Sequence, residues 1–353
     1  MKVAPHPNGI SVLICTYNGA TRLMPTLEHL AKQTIKSGIE WEVLLVDNNS
    51  TDDTAVHSVA LWNKYGAPVP LRILNQPKAG KQLALEMAYD AARYEFMCIV
   101  DDDNWLQEGY LQVGYNIMAA DATIGLLGGS NVGAFEIEPP VWFPLFQSSY
   151  AVGEPVAYTA AGKQTFITGE VTEGLLWGAG LFVRHAIWRK LRSLQFKSLF
   201  TGRQGEKQLT AGEDDELSYL TQLLGYKLWY DNRLRSVHYM TAGRLTEDYL
   251  KRLCYASPSA YPSLSAYERA LKENTKYNSA VPWFKDWIYM VIRMVRDLLS
   301  PKYLMSLFRT DLLAQITANQ RVLTVYHFTI HFSSSKKAFY AINKLRERAQ
   351  YLR

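Results

Sequence analysis

The sequence predicts an α/β protein: a mainly parallel central sheet with flanking helices, followed by a helical, basic C-terminal extension. Three observations carry that expectation. Apolar runs of strand length, Ile10–Cys15, Glu42–Asp47 and Phe96–Val100, each lead straight into polar or acidic residues. Stretches with apolar residues at helical spacing separate them. Charge is also split, because residues 281–353 hold 12 Lys/Arg against 4 Asp/Glu while residues 1–280 carry a net charge of −3. Strands buried on both faces read as near-continuous apolar runs, and strand alternating with helix means right-handed crossovers in a parallel sheet. At 353 residues and 48% hydrophobic, the chain can bury a large core and does not have a disordered composition.

Taken in order, Ile10–Cys15 reads as a strand, Thr16–Gly19 as a turn, and Ala20 to about Gln33 as a helix. Glu42–Asp47 is a second strand, and Asn48–Asp53 is a polar turn suited to cap the next helix. Leu71–Leu74 is a short third strand, Ala79–Arg93 a helix with Leu83, Met87 and Ala91 on one face, Phe96–Asp103 a fourth strand, and Glu108–Ala119 another helix. This gives a nucleotide-fold-like half over about residues 8–130. No G-x-G-x-x-G follows the first strand, and NQPKAGKQ lacks the first glycine and the Ser/Thr of a P-loop, which disfavours dehydrogenases and NTPases. Cys15, Cys98 and Cys254 are too far apart for a zinc motif and read as buried free thiols of a reducing compartment. The N-terminus lacks the form of a signal segment, and no run of about 18 residues reads as a membrane span.

The chemistry centres on FMCIVDDDNW, residues 96–105. Carboxylates at a strand's C-terminal end lie on the edge where open α/β sheets bind ligands. If the strand continues, Asp101 and Asp103 face one way and Asp102 the other. Crowded carboxylates need a cation, and hard ions such as Mg²⁺ or Mn²⁺ shared with phosphates suit them. A solvated turn or helix N-cap is the plainer alternative.

Further segments in the same order resemble family 2 glycosyltransferases with the GT-A nucleotide-diphospho-sugar transferase fold. They are SVLICTYNGA, EVLLVDNNSTDDT, QPKAGKQLALEMAYDAA, IVDDDNW, GLLWGAGLFVRHAIW and GEDDELSYLTQLLGYKLWYDNRLRSVHY, together spanning about residues 10–250. The resemblance implies a catalytic domain over 1–250, with a nucleotide-binding half (8–130) and an acceptor half (131–250), followed by an extension over 251–353. It implies an inverting, hexosyltransferase-type enzyme of bacterial cell-surface glycan synthesis. A nucleotide sugar, on balance a UDP-sugar, would be the donor, Mn²⁺ or Mg²⁺ the cofactor, and a glycan or lipid-linked hydroxyl the acceptor.

Residue by residue, the resemblance puts Thr16, Tyr17, Asn18, Asp47, Asn49, Lys81, Asp101 and Asp102 at the nucleotide sugar. It puts Asp103 and His238 on the metal, Asp214 as base with Glu213 beside the acceptor, and Trp177, Gly178, Arg203 and Arg244 in acceptor or lid positions. Each has a plainer reading from the residues alone. Tyr17 and Asn18 suit a turn, Asp47 an N-cap, Lys81 a solvated helix start, His238 a packed core residue and Trp177 a core indole. The four acids Glu213–Glu216 at a helix start suit the macrodipole, and Arg244 could pair with Glu247 or Asp248. Residues 198–211 read as a lid.

Trp283–Ser300 keeps Lys285, Asp286, Arg293, Arg296, Asp297 and Ser300 within a third of a helical wheel, the rest being almost wholly apolar. This fits either a helix in an anionic membrane interface or one packed on the catalytic domain or a second subunit. Leu323–Phe332 alternates imperfectly before the basic tail from Lys336 to Arg353. These features predict a cytoplasmic protein, peripheral on the inner membrane face, able to form a homo-oligomer. Nucleic acid is an unfavoured partner, because stacking aromatics interleaved with Lys/Arg are sparse. The competing functions are a sugar-nucleotide nucleotidyltransferase and a non-catalytic glycan-binding protein on the same fold.

Overall fold

The computed structural model describes residues 6–159, 162–200, 212–272, 283–306, 308–309 and 311–350. The first 120 residues alternate as expected: β1 (Gly9–Thr16), α1 (Leu23–Ala31), β2 (Glu40–Asp47), α2 (Thr54–Lys64), β3 (Leu71–Asn75), α3 (Lys81–Ala91), β4 (Phe96–Asp101), β5 (Asn104–Leu106) and α4 (Tyr110–Ala120). The next part holds β6 (Ile124–Phe135), α5 (Phe143–Phe146), β7 (Val156–Thr159), β8 (Gly162–Thr165), β9 (Gly169–Glu170), β10 (Leu181–Arg184), α6 (His185–Ser193), α7 (Glu213–Leu223) and β11 (Lys227–Met240). Helices follow: α8 (Glu247–Lys272), α9 (Trp283–Leu298), α10 (Pro301–Ser306), α11 (Leu312–Ile330) and α12 (Phe332–Gln350).

Among the described residues the main sheet runs β3-β2-β1-β4-β10-β6-β11-β5, with β9 on β11. Strands β1 to β4 are mutually parallel, and their register sets Thr16 beside Asp47 and Cys15 beside Asp101. The ends of three apolar runs therefore share one rim. Each run is apolar throughout because helices cover both faces. Leu13, Leu44 and Ile99 pack toward α3, α6 and α7, while Val12, Val43 and Cys98 pack toward α1, α2 and α4.

Strand β10 enters antiparallel between β4 and β6, pairing Leu181 with Ile99. Strand β11 lies parallel to β6 and carries β5 on its other side, with His238 opposite Asn104. The helical extension joins the same core, because Ala260, Tyr267, Ala338, Ile342 and Leu345 are buried with the β1–α3–α7 residues. Ile316 of α11 joins a further cluster with Phe143, Tyr150, Met240 and Leu250.

One sequence expectation is corrected. β4 stops at Asp101 rather than Asp103, because the chain turns at once to form β5. Leu323–Phe332, despite its imperfect alternation, lies in the helical extension expected: it spans the end of α11 and the first residue of α12. Its β-branched threonines are satisfied inside the helix, where Thr324 donates to the Gln320 carbonyl at 2.7 Å and Thr329 to that of Val325 at 2.9 Å.

Glu42 is a buried charge in the sheet, 1% exposed. It accepts from Ser11 Oγ (2.9 Å), the Arg93 backbone N–H (3.0 Å) and Arg72 Nη1 (2.9 Å). Glu42→Ala leaves these donors unmatched, and chemical denaturation should show a loss of about 1–3 kcal/mol.

Candidate active site

The three aspartates form a turn between β4 and β5, and each faces its own cation. Lys81 Nζ, from the first turn of α3, donates to Asp101 Oδ1 at 2.6 Å. Arg22 Nη2, from the start of α1, donates to Asp102 Oδ2 at 2.9 Å, and Thr16 Oγ1 donates to the same oxygen at 2.6 Å. Arg244 Nη1, from the segment after β11, reaches Asp103 Oδ2 at 2.8 Å. The expected convergence of Asp101 and Asp103 is therefore corrected. The strand ends one alternation short, so Asp101 meets α3 whereas Asp103 meets β11. Asp102, expected beside the sugar, turns under α1 and anchors the turn; Thr26 Oγ1 also donates to its carbonyl at 2.9 Å.

Burial would raise all carboxyls here, but the outcomes differ with their neighbours. Desolvation, with the Asp103 charge beside it, leaves Asp102 raised despite Arg22 and Thr16. For Asp103, His238 and Arg244 outweigh desolvation and hold its carboxyl far below the usual range. Arg244 is in turn driven upward by Asp103 against its own burial. Asp103 is thus a fixed anion at neutral pH.

His238 lies with Nε2 3.5 Å from Asp103 Oδ1. Its Nδ1 is 2.9 Å from the Tyr150 carbonyl, an acceptor only, so Nδ1 donates there and Nε2 is left facing Asp103. This is how a ligand histidine is oriented by a carbonyl behind it. Asp103 Oδ1 and His238 Nε2 are close enough for one small divalent ion to bridge. Among the described residues no three or more His, Cys, Asp or Glu side chains converge as a metal cage. The donor set fits a hard ion only if phosphate oxygens and water complete its shell, the usual state of Mg²⁺ sites. Arg244 does not take its plainer alternative partners, Glu247 or Asp248; it bonds Asp103 and lies 3.4 Å from His238 Nε2.

Along the rim, the turn chemistry foreseen for Asn18 and Asp47 is present. Asn18, in the left-handed region at φ 49°, accepts from Thr51 N–H at 2.8 Å, and Asp47 Oδ1 accepts from Ser50 N–H at 3.0 Å. These bonds zip the β1–α1 and β2–α2 loops together. Tyr17 and Asp47 stay half-buried and Asn49 is exposed, so the zipped loops present them at the edge.

The acids of α7 meet the same edge through Gly178. Asp214 Oδ2 accepts from Gly178 N–H at 2.9 Å. A Cβ on Gly178 would lie 2.5 Å from Asp214 Oδ1, so only glycine permits this approach. Gly178 lies three residues before Leu181, which pairs with Ile99, two residues before Asp101. Glu213 and Asp214 also line a cavity of about 30 Å³ with Gln82, Leu85 and Tyr89, and Gln82 adjoins Lys81. Trp177 is half-buried, not a core indole. Arg203 and residues 201–211 lie outside the described residues. A larger groove of about 440 Å³, along Val59, Trp62 and Ala67–Leu71, contains none of these acids.

Sequence reasoning missed Arg22, Tyr150, Gln82 and the Glu216 cluster. Arg22 did leave a signal, since a cation at a helix N-terminus opposes the macrodipole unless it has an anion to meet. Glu216, 2% exposed, accepts from Tyr267 Oη (2.6 Å), Leu199 N–H (3.0 Å) and Ser198 Oγ. Burial pushes its carboxyl up to about 7. Burial, with Asp214 and Glu213 alongside, does the same to Asp215.

Between the ordinary glutamate value of 4.5 and about 7, folded Glu216 keeps a proton that the unfolded chain has lost. Stability therefore falls as pH rises through that window, by up to about 3 kcal/mol. Melting temperatures from pH 4 to 8 should show this slope. Glu216→Gln should remove part of it and leave a slope of the same sign from Asp215, whose carboxyl is raised from 3.8 to about 7.

The sequence model described as "Glycosyl transferase family 2" matches residues 11–165. Over 120 residues the chain is 32% identical to "Glycosyltransferase GlyG" of Streptococcus pneumoniae, covering 33% of this chain and 38% of that protein. Over 116 residues it is 28% identical to "Cholesterol galactosyltransferase" of Borreliella burgdorferi, covering 33% and 31%. The chain thus spans less than two fifths of either relative's length. Among solved structures it is similar to S. aureus TarS 1-349 at a TM-score of 0.46 and 14% identity, covering 95% of this chain and 91% of that one. It is also similar to the mannosyltransferase PcManGT of Pyrobaculum calidifontis at 0.49 and 15%, covering 93% and 89%. The match to that family model thus runs from β1 to the end of β8.

Proposed function

We propose that the chain is an inverting glycosyltransferase. It moves a hexosyl group from a nucleotide sugar, on balance a UDP-sugar, to a hydroxyl of a cell-surface glycan, either free or carried on a lipid at the inner membrane face. One observation carries this reading above others: an anionic turn at the end of β4 and a carboxylate held by Gly178 meet at one sheet edge. The family match over residues 11–165 supports the donor side.

In this reading Thr16, Tyr17, Asn18, Asp47 and Asn49 line the nucleoside pocket, while Lys81 and the α3 N-terminus face the diphosphate. Asp101 orients Lys81, and Asp102 holds the turn against Arg22. Asp103 and His238 would hold Mn²⁺ or Mg²⁺, which when bound stabilises negative charge on a departing diphosphate. Arg244, already at Asp103, supplies a further fixed positive charge there. Asp214 takes the acceptor hydroxyl's proton while that oxygen bonds to the anomeric carbon. The bond from that carbon to the diphosphate oxygen breaks, and its electron pair leaves with the diphosphate. A single base and a single displacement invert the centre. Glu213 and the face of Trp177 position the acceptor.

Incubation with a panel of nucleotide sugars, with Mn²⁺ or with chelator, tests this. One donor should release nucleoside diphosphate, and chelator should abolish the release. A nucleotidyltransferase would instead form pyrophosphate from a nucleoside triphosphate and sugar phosphate, and a glycan-binding protein would release nothing. Asp214→Asn should lower transfer about 10²–10⁴-fold with donor binding retained. Transfer at the wild-type rate would refute Asp214 as base. Asp103→Asn should remove the Mn²⁺-dependent part of nucleoside diphosphate binding in calorimetry and leave the metal-independent part.

A further inference from the structure

Helix α9 is amphipathic in an unusual way, with two apolar faces. One is anchored. Trp283 is buried, its ring meeting Phe332 edge-on at 4.4 Å, and Trp287 Nε1 donates to the Phe328 carbonyl at 3.3 Å. These contacts fix α9 against the corner where α11 meets α12. The other face points to solvent. Phe284, Ile288, Ile292, Val295 and Leu299, spaced four, four, three and four residues apart, form one exposed stripe. Ile292 is 62% and Leu299 67% exposed. Beyond α9, Met305 (72%) and Phe308 (88%) are exposed as well.

Scattered surface leucines are ordinary, but a contiguous ridge of this kind marks a binding surface. Its borders say what binds. Lys285, Arg293 and Arg296 are exposed along one flank of the stripe, and residues 283–309 hold five Lys/Arg against two Asp/Glu. Apolar side chains beside long cationic ones suit the boundary between acyl chains and anionic headgroups, where Lys and Arg reach upward as the stripe sinks. Among the described residues no helix is long and apolar enough to cross a membrane, so such a helix would lie in the surface.

We infer that the α9–α10 ridge seats this protein on an anionic lipid surface, with Phe284, Ile288, Ile292, Val295 and Leu299 inserted and Lys285, Arg293 and Arg296 at the headgroups. The ridge extends the lipid-carrier reading of the acceptor but is independent of the site's chemistry. Vesicle binding reads the helix and diphosphate release reads the acids, so either can fail while the other stands.

The test is flotation of the full chain with phosphatidylcholine vesicles, with and without phosphatidylglycerol. The wild type should float with the anionic vesicles and lose binding as salt rises. Ile292→Glu, at an exposed position, should abolish flotation while leaving the melting temperature and donor hydrolysis unchanged. Lys285→Ala with Arg296→Ala should weaken binding about fivefold per charge removed. No flotation, or equal flotation with both vesicle types, overturns the inference. So does a dimer seen by light scattering that Ile292→Glu converts to monomer without altering flotation, because the ridge would then be an interface between copies.

Discussion

The active edge of this protein depends on balancing three consecutive carboxylates. Each of Asp101, Asp102 and Asp103 draws a cation from a different element: Lys81 from α3, Arg22 from α1, and Arg244 from beyond β11. A buried anion without such a partner would protonate or unfold its surroundings. The turn therefore acts as a staple, pulling the starts of two helices and the end of a distant strand onto the exit of β4. Geometry that looks like a ligand site is at the same time the reason these elements sit where they do.

The staple also separates the roles of the acids. Asp102, with two donors on one oxygen, belongs to the scaffold. Asp103 stays ionised beside an imidazole whose ring is oriented by the Tyr150 carbonyl. Asp214, on another helix, is set by a backbone N–H instead. Acids six or more elements apart thus acquire different characters from their surroundings, although all are aspartate.

Much of this was legible in the residues. The runs at Ile10, Glu42 and Phe96 are apolar over their full length, which a sheet covered on both faces demands, and the acids after them had to lie on its rim. The ordered motifs paired Asp103 with His238, and these two lie 3.5 Å apart; that Gly178 would touch Asp214 was not read from them. What could not be read were partners supplied by tertiary packing. Arg22 meets an aspartate 80 residues away. Tyr150 contributes a carbonyl, which side-chain identity cannot advertise. The strand end was misread by two residues because alternation says nothing about where a chain turns.

The reversed direction of β10 has an evolutionary consequence. Because that strand runs against β4, the chain entering it arrives at the same margin from which β4 departs. Residues can be gained or lost ahead of Gly178 while the ladder behind it stays in step. A lineage could remodel the segment ahead of Gly178 generation after generation, yet inherit an unaltered framework beneath it.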